Sequence, residues 1–321
     1  MKVLYVTNMY PTESNPVFGI FVKEQIEDAA RYLDVSQEVY LMNGVENGWK
    51  EYLKAIFVVP WKIMRGNYDL IHVHFGLSGL WRLFYRPNVP VFLSLHGADI
   101  LEKQGRHVQV AITKKLLPTM DRVFTLNEEM NTIVSQYTDA YEMLPCSVNV
   151  DLFRPVEREA TQTDKLLLFP GSPRVPVKDF PLFERVLEKV RKQTGSEVAY
   201  ATLENLSRTG VRDLMNRADC LVMTSVSEGS PQVVKEALSC GLPVVSVNVG
   251  DVASMLEGVP YCTVTETRDP VVLAAAVGGA FTGDRERIRR AFIDKRIYDH
   301  ESISRRWAEL YTRVGQQTVR P

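Results

Sequence analysis

Two carboxylates, Glu228 and Glu236, stand eight positions apart in EGSPQVVKE, followed by a Cys-Gly-Leu-Pro stop. Such a pair offers three chemistries: acid/base work, metal ligation, or two grips on one polar molecule. The residues around it narrow the choice. DCLVMTS (219–225) reads as a strand, so Val226 to Gly229 fall at its carboxyl end, where open α/β sheets bind ligands. Ser230 followed by Pro231 reads as a helix start, with Ser as the cap and Pro in the first helical position. The helix runs through QVVKEALS and stops at Gly241, with Pro243 beyond. Glu228 then lies in a loop and Glu236 between one and two turns into the helix, on the order of 10 Å apart at about 1.5 Å rise per residue. That distance excludes a shared proton or a mononuclear metal site and suits two ends of an extended ligand. The helix start, with Gln232 and Val233, offers N–H groups and a positive dipole end to a phosphate between them. Stripped of its frame, the same pair is a loop carboxylate and an ordinary exposed helix residue.

A second cluster, GSPRVPVKDF (171–180), places Arg174 and Lys178 in a Gly/Pro-rich loop after a strand. These two cations either neutralise a diphosphate, Arg as a fork and Lys as a point charge, or are solvated. A third is the histidine group. His72 and His74 alternate in LIHVHF and share one strand face, while His96 ends the next strand beside Asp99. His-x-His with a third ligand is a metal pattern. His72 lies too early in its strand for that and reads as a core histidine; no metal site is expected. His96, followed by Gly97, is the better functional contact.

The elements that position these residues follow from the hydrophobic pattern. The chain has 321 residues, 45% hydrophobic and 24% charged, with net charge −1, which is enough for two ordinary domains. Near-neutral charge leaves no basic footprint, so no nucleic-acid partner is expected. Four scattered cysteines, no signal before the first strand, and no apolar run near 18 residues predict a cytoplasmic protein, at most peripheral to a membrane. Apolar runs at 3–7, 39–43, 70–75, 91–97, 122–127 and 141–145 alternate with helical patterns. The pattern breaks near Phe153 in RPVEREATQTDK and restarts at 165–171, 197–203, 219–225 and 243–250. This predicts an α/β chain of two doubly wound Rossmann-like domains facing a central cleft: 1–155, then 156–301, with a helix from about 302–321 packing back. The first βα turn has no GxGxxG, so a nicotinamide or flavin site has no support. WKEYLKAIFVVPWKIM (49–64) mixes aromatics with lysines. It reads either as a core-facing helix with snorkelling lysines or as a contact with anionic membrane.

NPVFGIFVKEQ (15–25), YDLIHVHFGLSG (68–79), LHGADI (95–100), LPCSVNVDLFRP (144–155), GSPRVPVKDF and EGSPQVVKEALSCGLPVVSVNVGDV (228–252) occur in the order in which similar segments occur in glycosyltransferase family 4. The chain resembles that family of retaining GT-B transferases. Its opening YPTESNPVFGIFVKEQ resembles the branch that holds bacterial cell-surface polysaccharide enzymes of the teichuronic-acid type. The resemblance implies a retaining, metal-independent glycosyltransferase with no cofactor. It would move a sugar from a UDP- or GDP-sugar to a hydroxyl of a glycan or lipid-linked acceptor, in polysaccharide or glycoconjugate biosynthesis. Glu236 would bind the ribose hydroxyls and Glu228 the transferred sugar. Arg174 and Lys178 would hold the diphosphate, with Ser230, Gln232 and Val233 at the helix mouth. Gly19 would let backbone approach the phosphates, and His96 would contact the donor sugar near the reacting carbon. Preorganised cations and amides can stabilise a leaving diphosphate without a metal.

Three departures carry expectations of their own. The family's Pro-Asn-Gly-Val-Asp is Pro145-Cys146-Ser147-Val148-Asn149, and its Lys-Gly is Lys178-Asp179. No GDGP segment separates EVAYATL from the strand at Leu221, so the second domain is expected to be shortened by about one βα unit, with backbone near Leu203 to Asn205 at the nucleobase. The alternative readings are a nucleotide-sugar epimerase, a non-catalytic nucleotide-sugar-binding subunit, or a transferase acting on DNA or protein.

Overall fold

The computed structural model describes residues 1–102, 106–156 and 165–318. Its contacts divide the chain into two units, Met1–Ser147 with Glu301–Pro321, and Val148–His300.

In the first unit a six-stranded parallel sheet contains β1 (Lys2–Thr7), β2 (Ser36–Leu41), β3 (Leu70–His74), β4 (Val91–Ser94), β5 (Arg122–Thr125) and β6 (Tyr141–Met143) in the order β2-β1-β3-β4-β5-β6. Strand alternation sorts its core into two layers. Leu4, Val6, Ile71, Val73, Leu93 and Val123 point to one face, which α3 (Lys50–Gly66), α4 (His107–Leu116) and α5 (Glu128–Val134) help to cover. Val3, Tyr5, Leu70, Phe92 and Phe124 point to the other, where they meet α1 (Ile20–Ala29) and α12 (His300–Thr318). The last helix packs Trp307 against Phe124 at 4.5 Å between ring centroids, and Tyr311 against Tyr5 and His72. A short α2 (Gly44–Asn47) precedes α3.

The second unit is a five-stranded parallel sheet of β7 (Lys165–Phe169), β8 (Val198–Thr202), β9 (Cys220–Met223), β10 (Val244–Val247) and β11 (Thr263–Thr265), in the order β11-β10-β9-β7-β8. Its helices are α6 (Phe180–Thr194), α7 (Arg208–Arg217), α8 (Gln232–Ser239), α9 (Val252–Leu256), α10 (Pro270–Ala280) and α11 (Arg285–Ile293). It has one strand fewer than the first unit. Both sheets run outward in two directions from their first strand, so each has a topological switch point, at β1/β3 and at β7/β9.

The division falls at Ser147/Val148, earlier than the expected 155/156. The reason is local: the Val148 N–H donates to the Tyr298 carbonyl, and Val148 and Phe153 are buried in the second core. The polar segment 157–164 that marked the linker in the sequence lies outside the described residues.

The expected core-facing reading of 49–64 holds for only half of α3. Ala55, Val59 and Ile63 are buried, whereas Trp49 is 67% and Phe57 77% exposed.

Candidate functional site

The carboxyl ends of β7 and β9 flank the switch point of the second unit, and the loops after them hold the two sequence clusters. These loops are fastened to each other. Thr224 Oγ1 donates to the carbonyls of Lys178 and Asp179 at 2.9 and 3.0 Å, and the Val226 N–H donates to the Val177 carbonyl at 2.8 Å. The fastening delivers Lys178 Nζ to Glu228 Oε1 at 2.6 Å, with both side chains mostly buried.

Asp179 stands where the family pattern has glycine, and it adopts a left-handed φ of 49°. That conformation costs an L-residue energy unless local bonds hold it. Asp179 has them: its carboxylate accepts from the Leu182 N–H at 3.2 Å, capping α6, and from Arg268 at 2.6 Å. Arg268 also donates to the Thr224 and Ser225 carbonyls. These bonds hold the Lys178-Asp179 loop in its left-handed turn.

Arg174 is not part of the Lys178–Glu228 pair. It is exposed and bonds Glu204, whose carboxyl it and Ser172 hold below the usual range.

Glu236 is buried in α8, 4% exposed, and Arg208 donates to its Oε1 at 2.6 Å. Burial pushes the Glu236 carboxyl up, and the Arg208 charge and hydrogen bond pull it back. The Arg208 guanidinium also lies 4.7 Å from the centre of the buried Phe153 ring. Arg208 was missed in the sequence, where the helix after β8 was placed from Val211 to Asn216; the structure starts α7 at Arg208. A cation at the first position of a helix opposes the macrodipole, so it needs a partner elsewhere. That is the signal that could have found it.

Ser230 does not cap α8. The cap position is Pro231, which makes no side-chain cap bond. Ser230 Oγ instead donates to Asp251 Oδ2 at 2.8 Å. The reason is the turn at Gly250, with φ of 58°, where an added Cβ would come within 2.5 Å of the Gly229 carbonyl oxygen. Only glycine allows that approach, and it presses Asp251 against the Ser230 loop. Burial pushes the Asp251 carboxyl up to about 6, opposed by the charge of Lys235. Lys235 is fully buried and approaches Gln232 Oε1 at 3.4 Å. Neither Asp251 nor Lys235 stood out in the sequence. The start of α8, with Gln232 and Val233, presents the positive end of the helix dipole.

At the other switch point, Asp99 accepts from the Gly76 N–H at 2.8 Å and the His96 N–H at 3.0 Å, tying the end of β3 to the end of β4. Burial still pushes its carboxyl up to about 6. His72, His74 and His96 form one stack, with ring centroids 4.4 and 5.5 Å apart. His72 bonds Tyr311 and Ser94 at 2.6 and 2.8 Å, which is the satisfied core histidine the sequence predicts. His96 Nε2 meets His74 Nδ1 at 3.3 Å, and its Nδ1 is buried with no partner. Burial lowers the His96 imidazole to about 3, so it is neutral at ordinary pH. Gly19, at φ of 70°, starts α1, and an added Cβ would lie 2.3 Å from the Met9 carbonyl carbon. Its smallness thus serves the fit of α1 to the loop after β1. Beside that loop is a polar pocket of about 220 Å³ whose lining includes Asn8, Tyr10, Asn15, Asn43 and Glu46.

Residues 164–282 match a family model described as "Glycosyl transferases group 1". A Bacillus subtilis (strain 168) protein assigned to teichuronic acid biosynthesis as glycosyltransferase TuaC is 22% identical over 322 residues, covering 79% of this chain and 83% of its own. A D-inositol 3-phosphate glycosyltransferase of Xylanimonas cellulosilytica is 27% identical over 284 residues, 70% of this chain and 66% of its own length. Among solved structures, a sucrose-phosphate synthase from Thermosynechococcus elongatus superposes with a TM-score of 0.75 at 17% identity, over 98% of this chain and 99% of that one. Anabaena HepE in complex with UDP-glucose gives a TM-score of 0.70 at 16% identity, over 97% and 99%. These likenesses establish the GT-B fold.

Proposed function

We propose that this chain, which carries a group 1 glycosyltransferase domain over residues 164–282 on a GT-B fold, moves a sugar with retention from a nucleoside diphosphate sugar to an acceptor hydroxyl. UDP-sugars are the first donors to test, because a structural neighbour binds UDP-glucose. The observation that carries the reading is the buried Glu236, bonded by Arg208, in the same helix whose start follows the Lys178–Glu228 pair.

Glu236 accepts hydrogen bonds from the two ribose hydroxyls, as a fixed carboxylate can. Lys178 and Arg174 meet the diphosphate, and the start of α8 with Gln232 and Val233 adds its dipole. Both cations are paired with carboxylates. The donor's phosphates therefore replace Glu228 on Lys178 and Glu204 on Arg174. Glu228, once released, turns to the sugar hydroxyls.

The bond from the anomeric carbon to the phosphate oxygen breaks as the bond to the acceptor oxygen forms. The acceptor's proton passes to the departing phosphate oxygen, so neither a protein base nor a metal is required. Neutral His96 contacts the sugar near the reacting carbon. Gly19 shapes the loop after β1. The pocket of Asn8, Asn15, Asn43 and Glu46 suits an acceptor rich in hydroxyls, a growing polysaccharide or glycoconjugate.

A panel of UDP- and GDP-sugars, each with excess chelator and a set of glycan and lipid-linked acceptors, tests the reading. Release of nucleoside diphosphate with product of unchanged anomeric configuration is expected. Turnover only with added metal, or an inverted product, rejects the mechanism; no turnover with any donor rejects the function.

A further inference from the structure

Helix α3 of the first unit has two apolar faces and only one is in the core. At 100° per residue, Trp49, Leu53, Phe57, Trp61 and Met64 fall within an arc of about 120°, and all five are exposed, Phe57 by 77%. Ala55, Val59 and Ile63 occupy the opposite side and are buried. An exposed run of this size and continuity marks an interaction surface on a soluble unit.

Charge identifies the partner. Lys50, Lys54 and Arg65 line one edge of the arc, and the Arg65 guanidinium lies 4.8 Å from the centre of the Trp61 ring. The only carboxylate in the helix, Glu51, is largely covered and lies 3.7 Å from Lys54. Tryptophans with cations beside an apolar stripe form the pattern of a helix lying in a lipid headgroup layer. A second copy of the chain would bring the same cations against each other. Among the described residues no helix is long and apolar enough to cross a membrane.

Location adds to this. Tyr52 of α3 accepts from Asn8 at 2.8 Å, and Asn8, Asn43 and Glu46 line the polar pocket, so the stripe begins three residues after the pocket's wall.

We infer that this face of α3 docks on an anionic lipid surface, placing the polar pocket beside the headgroups. Its purpose, reaching a lipid-linked acceptor, rests on the transferase reading; the docking itself does not. Two of the four tryptophans, Trp49 and Trp61, lie on the face, while Trp81 and Trp307 are buried. Tryptophan emission is therefore a direct probe.

The full chain is mixed with vesicles of phosphatidylcholine alone or with phosphatidylglycerol, at low and high salt, without donor or acceptor. Binding to the anionic vesicles with a blue shift in emission is expected, weakened by salt. Lys54→Glu and Arg65→Glu each lower partitioning by at least about fivefold. Phe57→Glu abolishes it. All three sites are exposed, so unchanged melting temperatures confirm intact folds.

No binding to anionic vesicles, or equal binding by all variants, overturns the inference. So does a concentration-dependent dimer that Phe57→Glu dissolves while vesicles bind nothing. A chain that binds vesicles yet turns over no donor rejects the transferase reading and leaves this face standing.

Discussion

Replacing Arg208 by Met leaves Glu236 as a buried carboxylate without its cation. At 2.6 Å and an effective dielectric of about 20, the direct attraction lost is about 6 kcal/mol. Part of that is offset, because Met packs in the space of the guanidinium stem and Glu236 takes up a proton. Breaking a buried pair from one side therefore destabilises by about 3–5 kcal/mol. At roughly 2–4 °C per kcal/mol for a unit of this size, the melting temperature falls by about 10 °C. Glu236→Gln removes the complementary charge. In the Arg208→Met background it recovers most of the loss, since two neutral side chains have no buried charge to satisfy. Arg208→Lys falls between, keeping charge but losing the fork and the contact with Phe153. The assay is calorimetric melting of the four proteins of the cycle at neutral pH, with urea midpoints as a check. If Arg208→Met melts with the parent, or if Glu236→Gln adds its own penalty on top, Arg208 does not hold the Glu236 charge.

Two further outcomes follow from the same structure. Lys178→Met removes the cation from the donor's diphosphate and leaves Glu228 unpaired; turnover of the folded protein should fall by roughly 10²–10³, and an unchanged rate removes Lys178 from the chemistry. Acid should unfold the chain through its histidine stack. Burial holds His72 and His96 near 3 and His74 well below its usual value, so the folded state binds fewer protons than the unfolded one below pH 6.5. Stability present above that pH is lost as pH falls, on the order of 1–2 kcal/mol per histidine at pH 5.5. Asp99 and Asp251, raised to about 6, act in the opposite direction and offset on the order of 1 kcal/mol each. The net loss between pH 8 and 5.5 is roughly 2–3 kcal/mol, read from urea midpoints; equal stability at the two pH values contradicts the buried neutral stack.

Most strands were legible because their centres are short apolar runs, as in β1, β4, β7 and β9, which suit a sheet covered on both faces, whereas β11, Thr-Val-Thr, lacks such a run and was not expected. Helix ends marked by glycine were legible for the same kind of local reason, as at Gly241, with φ of 68°. The Ser-Pro helix start misled, because Ser230 had two suitors. A cap bond and a bond to Asp251 are equally available to a serine, and only the Gly250 turn, 20 residues downstream, decides between them. Arg208 and Lys235 were hidden for a related reason. Each gains meaning from a partner that the fold brings near, and a charged residue within a polar helical pattern carries no mark of that. The α3 face was ambiguous because both its sides are apolar, so periodicity alone could not choose the buried one.

Calorimetric titration of UDP and a UDP-sugar into the parent chain and into Glu236→Gln tests the central claim most directly. The account predicts that the parent binds both, and that the variant, still folded at the temperature of the titration, binds each at least tenfold more weakly because the ribose hydroxyls lose their carboxylate. Equal affinity in the two proteins, or no binding to the parent by any nucleotide, would contradict it.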